Sequence, residues 1–399
     1  MKILHCSDLH LGRKVSGSIY SQYFKARYED YFSSFRAMVD FAISKNIDMV
    51  IISGDIFDKK DLSPDSLERA EDIFKCLKDA SIKVIAIEGN HDRLFDFENS
   101  SWLDYLKDKN YMIILRPSIK NGKVFFEPWD GKTGGMVEID GVKFYGIGYQ
   151  GINFPEYIES LGQILDADDR NIVVIHAGVS DQQTLIMPGF VELKDFSPLD
   201  GKCLYIASGH AHQKHIYALE KSKIFIPGAP EYWDLSESGE KGFFIYDTND
   251  GSVDFFESKR RLKIEKTIKL ETGNADEFKH AFSKMIEEKP VETNCIYMVN
   301  VGIPFGTFLD ININEFENEI ENMGALKGKI TVRQLSDRAR IDDKDYIDLY
   351  DIENSIVSKD EKFGKHSGSV VEAIDALKKI TLQEDAFKII DDLFNKITE

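Results

Sequence analysis

Seven polar side chains of metal-binding types stand just after short apolar runs within the first 215 residues. Each run has the pattern of a β-strand, so the polar residues come where a strand ends. Carboxylate, amide and imidazole groups together suit Mn²⁺ or Fe²⁺ better than a thiolate-binding metal or an all-oxygen calcium site. The candidate metal ligands are Asp8, His10, Asp55, Asn90, His176, His210 and His212.

The segments that carry these residues alternate with helical patterns, such as the apolar period of residues 29–45. This alternation predicts right-handed βαβ units and a largely parallel sheet, whose strands end at one edge where ligands bind. Gly54, Gly89 and Gly209 are expected to let the backbone turn sharply before the ligands. The first predicted strands cover residues 2–7, 48–53 and 83–89.

The composition of this cluster favours a two-metal centre. Seven ligands fill two coordination shells only if one is shared, and Asp55 is the natural bridge because a carboxylate has two oxygens. Two divalent ions can activate a water as hydroxide and stabilise both oxygens of an in-line displacement at phosphorus. His91, next to a candidate ligand, is predicted to hydrogen-bond the phosphoryl oxygen or to protonate the leaving group.

The second half of the chain has a different pattern of predicted strands and helices. From about residue 111, strand-like runs with few helices between them predict a second sheet packed on the first, with helices outside. A β-α-β-α-β pattern covers 264–336 and predicts a small separate domain. Residues 342–361 hold eight acids and two lysines and are typical of a solvated linker. Two amphipathic helices follow, which could fold back on the body or dock on a partner.

The amino-acid composition limits the classes of protein to which the chain can belong. The 50 basic and 69 acidic residues give a net charge of −19, which argues against a protein that coats nucleic acid but not against a nuclease. The four cysteines are far apart and read as reduced thiols. A polar N-terminus and the lack of an apolar run of about 20 residues predict a soluble, cytoplasmic protein without a membrane anchor.

The order of the motifs resembles the calcineurin-like metallophosphoesterases: D-x-H, then GD, then GNHD, then H, then GHxH. The resemblance implies an α/β fold, a two-sheet metallophosphoesterase sandwich flanked by helices. It also implies a division of the ligands between two metal ions. One ion would be held by Asp8, His10, Asp55 and His212, and the other by Asp55, Asn90, His176 and His210.

A narrower resemblance joins the stretches "SDLHLGR" and "ISGDIFD" to the SbcD nucleases, prokaryotic counterparts of the eukaryotic meiotic-recombination-eleven subunit. It implies a DNA exonuclease and endonuclease of double-strand-break repair with two Mn²⁺ ions, Mg²⁺ or Fe²⁺ being possible. It also implies a homodimer and an SbcC-type coiled-coil ABC ATPase as partner. The expected domains are a nuclease domain at 1–262, a capping domain at 263–340, an acidic linker at 341–366 and an ATPase-docking helical tail at 367–399.

Two features near the predicted centre leave alternatives open. A histidine that helps with the DNA phosphate usually lies three residues after the bridging aspartate in that family. Here the position is Asp58, whose charge would repel a phosphate and puts the balance of exonuclease and endonuclease activity in doubt. Basic residues interleaved with aromatics could form a DNA-contacting loop or a solvated loop. They are Arg13, Lys14, Lys25 and Arg27.

Two other functions compete with a nuclease. A phosphodiesterase of the same fold could act on a small molecule, and it would need neither a capping domain nor a docking tail. A subunit that mainly tethers the ATPase is the second rival. The intact ligand set argues against a pure scaffold, because buried polar groups that only a metal satisfies are costly to keep.

Overall fold

A computed structural model of the chain describes residues 1–15, 18–93, 100–180 and 189–335, together with positions 366, 369, 370, 373 and 393. The described strands are β1 Lys2–Cys6, β2 Met49–Ile52, β3 Lys83–Ala86, β4 Ile113–Ile114, β5 Ser118–Lys120, β6 Lys123–Phe125, β7 Met136–Ile139, β8 Val142–Ile147, β9 Asn171–Ile175, β10 Gly178–Ser180, β11 Phe190–Glu192, β12 Tyr205–Ser208, β13 His215–Ala218, β14 Lys223–Ile226, β15 Gly242–Asp247, β16 Val253–Glu257, β17 Lys263–Lys269, β18 Ile296–Pro304 and β19 Lys327–Leu335. The described α-helices are α1 Gln22–Ser44, α2 Pro64–Asp79, α3 Trp102–Asp108, α4 Phe154–Ile164, α5 Ala275–Glu288 and α6 Ile313–Asn322, and 3₁₀ helices cover Gly151–Asn153 and Leu193–Leu199.

Two six-stranded sheets form the body of the chain. The first has the order β16-β15-β1-β2-β3-β4, and the second has the order β13-β14-β12-β9-β8-β7. The strands β1 to β4 are parallel to one another, as are β8, β9, β12 and β14. The antiparallel strands lie toward the edges. The parallel strands of each sheet therefore end at a common edge, as predicted.

Alternation along the central strands sorts their side chains into two cores. Leu4, Val50 and Val84 belong to a cluster with apolar residues of α1 and α2. Their neighbours Ile51 and Ile85 belong to a cluster with side chains of the second sheet. A third cluster joins the other face of the second sheet to α4. Because both faces of each sheet are covered, the strands are apolar on both sides. The predicted two-sheet sandwich with outer helices is confirmed.

The first helix begins earlier than its apolar period suggested. It starts at Gln22 rather than near residue 29, because the Ser21 hydroxyl caps it by accepting from the N–H of Phe24. Lys25 and Arg27 therefore lie on a helix, and the predicted loop does not extend to them.

The chain divides by contacts into two units. The first comprises Met1–Ile268, His280–Asn300 and Ile311–Thr331, and the second comprises Lys269–Lys279, Val301–Asp310 and Val332–Glu399. The order β17-α5-β18-α6-β19 agrees with the predicted β-α-β-α-β pattern. The domain boundaries stay predictions. The linker at 341–366 and the tail at 367–399 lie outside the described residues, apart from the single positions named above.

Two simpler expectations concern the cysteines and membrane-spanning helices. All four cysteines are free thiols. No helix in the described part of the chain is long and apolar enough to cross a bilayer.

Truncating a side chain in the core between the two sheets is expected to lower the free energy of unfolding more than truncating an exposed one. Phe144 is fully buried between the sheets, whereas Phe125 is 42% exposed. We expect Phe144→Ala to lower the free energy of unfolding by about 3–5 kcal/mol and Phe125→Ala to lower it by about 1 kcal/mol. Urea unfolding followed by tryptophan fluorescence measures both. Equal losses would contradict a core between the sheets.

Candidate metal centre

The first of two donor groups lies beyond β1 and β12. One donor atom each from Asp8, His10 and His212 lies within 4.8 Å of the others. Nε2 of His10 is 3.1 Å from Nε2 of His212. Oδ1 of Asp8 accepts from the N–H of His210, but its buried Oδ2 has no hydrogen-bond partner among the described residues. Unsatisfied buried lone pairs converge here, which is what a cation site requires.

The second donor group lies beyond β3, β9 and β12. Oδ1 of Asn90 is 3.2 Å from Nε2 of His176 and 3.0 Å from Nδ1 of His210. The rings of His176 and His210 meet edge to face with centroids 5.2 Å apart. An amide oxygen and two imidazoles are thus gathered from three separate strand ends.

Asp55, beyond β2, lies between the two groups. Its Oδ2 is 3.8 Å from Nε2 of His10 and 3.4 Å from Nε2 of His176. Its Oδ1 accepts from the backbone N–H of His91 at 2.9 Å, which fixes the carboxylate plane. This is the position that a bridging ligand would occupy. The structure therefore brings all seven sequence-predicted ligands to one rim.

Hydrogen bonds on the far side of two imidazoles fix their tautomers. Nδ1 of His176 is 2.7 Å from the carbonyl oxygen of Ser53, which can only accept, so this nitrogen carries the hydrogen. Nδ1 of His212 is 2.7 Å from Oε1 of Glu237 and donates to that carboxylate in the same way. In both rings Nε2 is the nitrogen that faces the cluster, and its lone pair is available to a metal when the ring is neutral.

The carboxylates and imidazoles shift one another's protonation. Burial lowers the pKa of His176, but the adjacent Asp55 carboxylate outweighs it and raises that pKa to about 9. Burial alone would raise the pKa of Asp55, and His176 instead holds it well below its usual range. The centre therefore holds negative charge that attracts a proton or a cation to the same nitrogen lone pairs.

Four of the candidate ligands have a left-handed backbone conformation. Asp8, His10, Asp55 and His210 have φ values of 53°, 45°, 53° and 75°. The left-handed region is sparsely populated for residues with a side chain, and such strain collects at functional sites.

The three glycines serve two different purposes. Gly54 has a φ of +92° and makes the expected sharp turn. Gly89 and Gly209 do not have a positive φ, so the freedom of glycine to adopt a left-handed conformation is not what these two positions use. A Cβ on Gly89 would come 1.9 Å from Oδ1 of Asp55, and one on Gly209 would come 2.3 Å from the carbonyl oxygen of Ser53. These two glycines leave room for neighbouring backbone and ligand.

Asp58 is not a free charge. It is 2% exposed, and its Oδ1 lies 3.0 Å from Nη1 of Arg13, 3.2 Å from Nε1 of Trp233 and 3.4 Å from Nδ1 of His10. Burial opposes ionisation, but His10 and Arg13 lower the pKa of Asp58 below its usual value. The expectation that Asp58 repels phosphate took its charge as unpaired, and the structure pairs it.

His91 is anchored beside the centre. Its Nδ1 donates to the carbonyl oxygen of Asp58, and its ring lies edge to face with that of His10 at 4.8 Å between centroids. Nε2 is then the nitrogen that can act on a bound group, which is compatible with the predicted role.

Two carboxylates that support the centre, Glu237 and Asp92, were missed by the sequence analysis. Glu237 orients His212, and its Oε2 accepts from Nζ of Lys241 at 2.7 Å and from the N–H of Trp233 at 3.0 Å. These residues follow β14, which runs parallel to β12 and ends at the same edge. The strand-end argument could have found this segment had it been extended past β12.

Asp92, the last residue of the GNHD motif, ties two ligand loops together. It accepts from the N–H groups of Ile56, Phe57 and Gly89 at 3.0–3.1 Å. Burial and the charge of Asp55 raise its pKa to about 7. Asp92 was given no role from sequence, because its partners become neighbours only in the fold.

The predicted DNA-contacting residues differ in exposure. Lys14 and Lys25 are exposed, and Arg13 is partly buried. Arg27 is 1% exposed, and its Nη1 lies 3.0 Å from Oε1 of Glu231. The prediction that Arg27 contacts DNA is therefore corrected, because its guanidinium is enclosed by the protein and forms an ion pair with Glu231.

The chain is similar to several known proteins. A family model described as calcineurin-like phosphoesterase matches residues 1–214. The chain is 28% identical over 244 residues to the DNA double-strand break repair protein Mre11 of Archaeoglobus fulgidus, covering 60% of this chain and 52% of that protein. It therefore spans about half the length of that relative. A protein of the same name from Sulfolobus acidocaldarius is 24% identical, with 100% of this chain and 96% of that protein covered. A dimetal phosphatase structure from Danio rerio is 14% identical, covering 61% of this chain and 91% of that chain, with a TM-score of 0.37.

The orientation of His212 predicts how a distant carboxylate affects metal binding. Glu237 is surrounded by donors from His212, Lys241 and Trp233, so a glutamine would bring an NH₂ group against one of them. We expect Glu237→Gln to weaken divalent-metal affinity about 10–100-fold. Calorimetric titration with Mn²⁺ measures it. Glu240→Gln, which alters an exposed pair with Lys214 in the same segment, is the matched control and should bind as wild type. Equal affinity in both variants would contradict the assigned orientation.

Proposed function

Because the chain belongs to the calcineurin-like phosphoesterase family, we propose that it is a divalent-metal-dependent nuclease that hydrolyses phosphodiester bonds of DNA during double-strand-break repair. The observation that carries the proposal is the position of Asp55, whose Oδ2 lies between a histidine of each donor group. The DNA substrate is taken from the names of the relatives from Archaeoglobus and Sulfolobus.

Two ions are proposed, with Asp55 shared. The first would be held by Asp8, His10, Asp55 and His212, and the second by Asp55, Asn90, His176 and His210. Oδ2 of Asp8, which has no hydrogen-bond partner among the described residues, and the facing Nε2 atoms of His10 and His212 support this assignment. Mixed oxygen and nitrogen donors favour Mn²⁺, with Mg²⁺ or Fe²⁺ as alternatives. When bound, such a pair supplies an activated water and offsets the charge of a phosphate.

His91 is proposed as the residue that acts on the substrate. Its Nδ1–H is occupied by the carbonyl oxygen of Asp58, so in the imidazolium form Nε2–H is left to donate to the phosphoryl oxygen or to pass its proton to the leaving oxygen. Its backbone N–H also holds Asp55, which couples its position to that of the proposed bridge.

The wider assembly is proposed from resemblance. A homodimer and an SbcC-type coiled-coil ABC ATPase, docked on the tail at 367–399, would complete the nuclease. The match to the Sulfolobus protein over the whole chain supports this layout. A cytoplasmic location stays a prediction.

A small-molecule phosphodiesterase is the second candidate, and the net charge of −19 favours it. A long polyanion meets repulsion from the whole protein surface, whereas a small diester meets only the local field of the centre. The choice between the two depends on the size of the substrate rather than on the chemistry.

The proposed activity predicts metal-dependent shortening of DNA. Purified protein with Mn²⁺ is incubated with end-labelled linear duplex, single-stranded DNA and a chromogenic phosphodiester. We expect cleavage of DNA that falls about a hundredfold or more in Asp8→Asn, because the substitution removes one charged ligand, a loss of roughly 3 kcal/mol of transition-state stabilisation. Asp254→Asn, at an exposed position on β16, should cleave as wild type. Hydrolysis of the small diester with every DNA left intact would favour the second candidate.

A further inference from the structure

We propose that Arg13 contacts a backbone phosphate of bound DNA beside the metal centre, and that Asp58 and Trp233 hold its guanidinium ready for that contact. The inference rests on the proposed function and adds to it the group that recognises the polymer. Asp58 is then a positioning residue for Arg13 rather than a source of repulsion.

The guanidinium of Arg13 is fixed on two sides. Its Cζ lies 3.5 Å from the centroid of the Trp233 ring, within cation–π distance. Nε donates to the carbonyl oxygen of Trp233 at 2.9 Å, and Nη1 donates to Oδ1 of Asp58 at 3.0 Å. Nη2 has no hydrogen-bond partner in the described part of the chain. A stacked arginine with a spare planar donor suits a phosphate oxygen.

This guanidinium lies next to the metal centre. The Asp58 oxygen that accepts from Arg13 is also 3.4 Å from Nδ1 of His10. The ring that Arg13 stacks on is 5.4 Å from the ring of His212 and 6.1 Å from that of His10. One carboxylate oxygen and one indole therefore separate Arg13 from two proposed ligands, so Arg13 lies beside the proposed centre.

The two partners of the Arg13–Asp58 ion pair differ in their exposure to solvent. The Asp58 side chain is 3% exposed and that of Arg13 is 15% exposed, so the positive partner is the one that a ligand can reach. Holding the guanidinium in advance also reduces the side-chain entropy lost on binding. Among the four basic residues predicted to contact DNA, Lys14 and Lys25 are exposed, Arg27 is enclosed, and Arg13 alone is both anchored and accessible.

The test measures DNA binding rather than turnover. Full-length protein with Mn²⁺ is titrated into a fluorescent duplex whose phosphorothioate linkages resist hydrolysis, at several salt concentrations. We expect Arg13→Ala to weaken binding about tenfold, as loss of a charge-assisted hydrogen bond does, and to reduce the salt slope by about 0.9. Lys83→Ala is the matched control, because Lys83 is an exposed cation at the amino end of β3, opposite the ligand edge. It should bind as wild type.

Asp58→Asn separates positioning from repulsion by the sign of its effect. If Asp58 positions Arg13, the variant binds DNA more weakly, and the double variant Arg13→Ala/Asp58→Asn is no weaker than Arg13→Ala alone. If Asp58 only repels phosphate, removing its charge tightens binding, and the proposal is overturned.

The outcomes distinguish this inference from the proposed function. Wild-type protein that fails to bind the duplex at every salt concentration would overturn both. Wild-type protein that binds the duplex, with Arg13→Ala indistinguishable from Lys83→Ala, would overturn the role of Arg13 and leave the nuclease proposal standing.

Discussion

A set of buried lone pairs that the protein does not satisfy by itself governs the rest of the structure. Within the described residues, Oδ2 of Asp8 has no hydrogen-bond partner, and the Nε2 atoms of His10 and His212 face each other at 3.1 Å. Such groups are unfavourable in a protein interior unless a proton or a cation lies among them. Divalent ions would satisfy them together, and their binding energy would offset the left-handed backbone at Asp8 and Asp55.

The sandwich makes this arrangement possible because it holds strand ends from both sheets at one rim. Rigid, doubly buried strands fix where each ligand loop begins, and the loops themselves are tied to one another. Asp92 joins the Asp55 loop to the GNHD loop through three backbone N–H groups, and Ser53 joins β2 to His176 of the second sheet. Removing a ligand therefore removes a donor atom, while removing such a link affects how the ligand loops are held relative to one another.

The sequence was informative wherever the determinant was local. The strands and the polar residues directly after them follow from apolar runs and the residue types behind them, so the sheets and the gathering of seven candidate ligands at one rim could be predicted. The partners of those ligands could not. Asp58 and Trp233 are 175 positions apart, and His212 and Glu237 are 25 apart, so these pairs meet only through packing. The beginning of α1 was placed late for a different reason, since a single cap at Ser21 extends the helix beyond its apolar period.

Crystals soaked in Mn²⁺ and measured at the manganese absorption edge test the central claim most directly. The account predicts two anomalous peaks about 3.5–4 Å apart, with Asp55 between them, His10 and His212 beside one, and His176 and His210 beside the other. A single peak, or peaks away from Asp55, would contradict a two-ion centre bridged by this carboxylate.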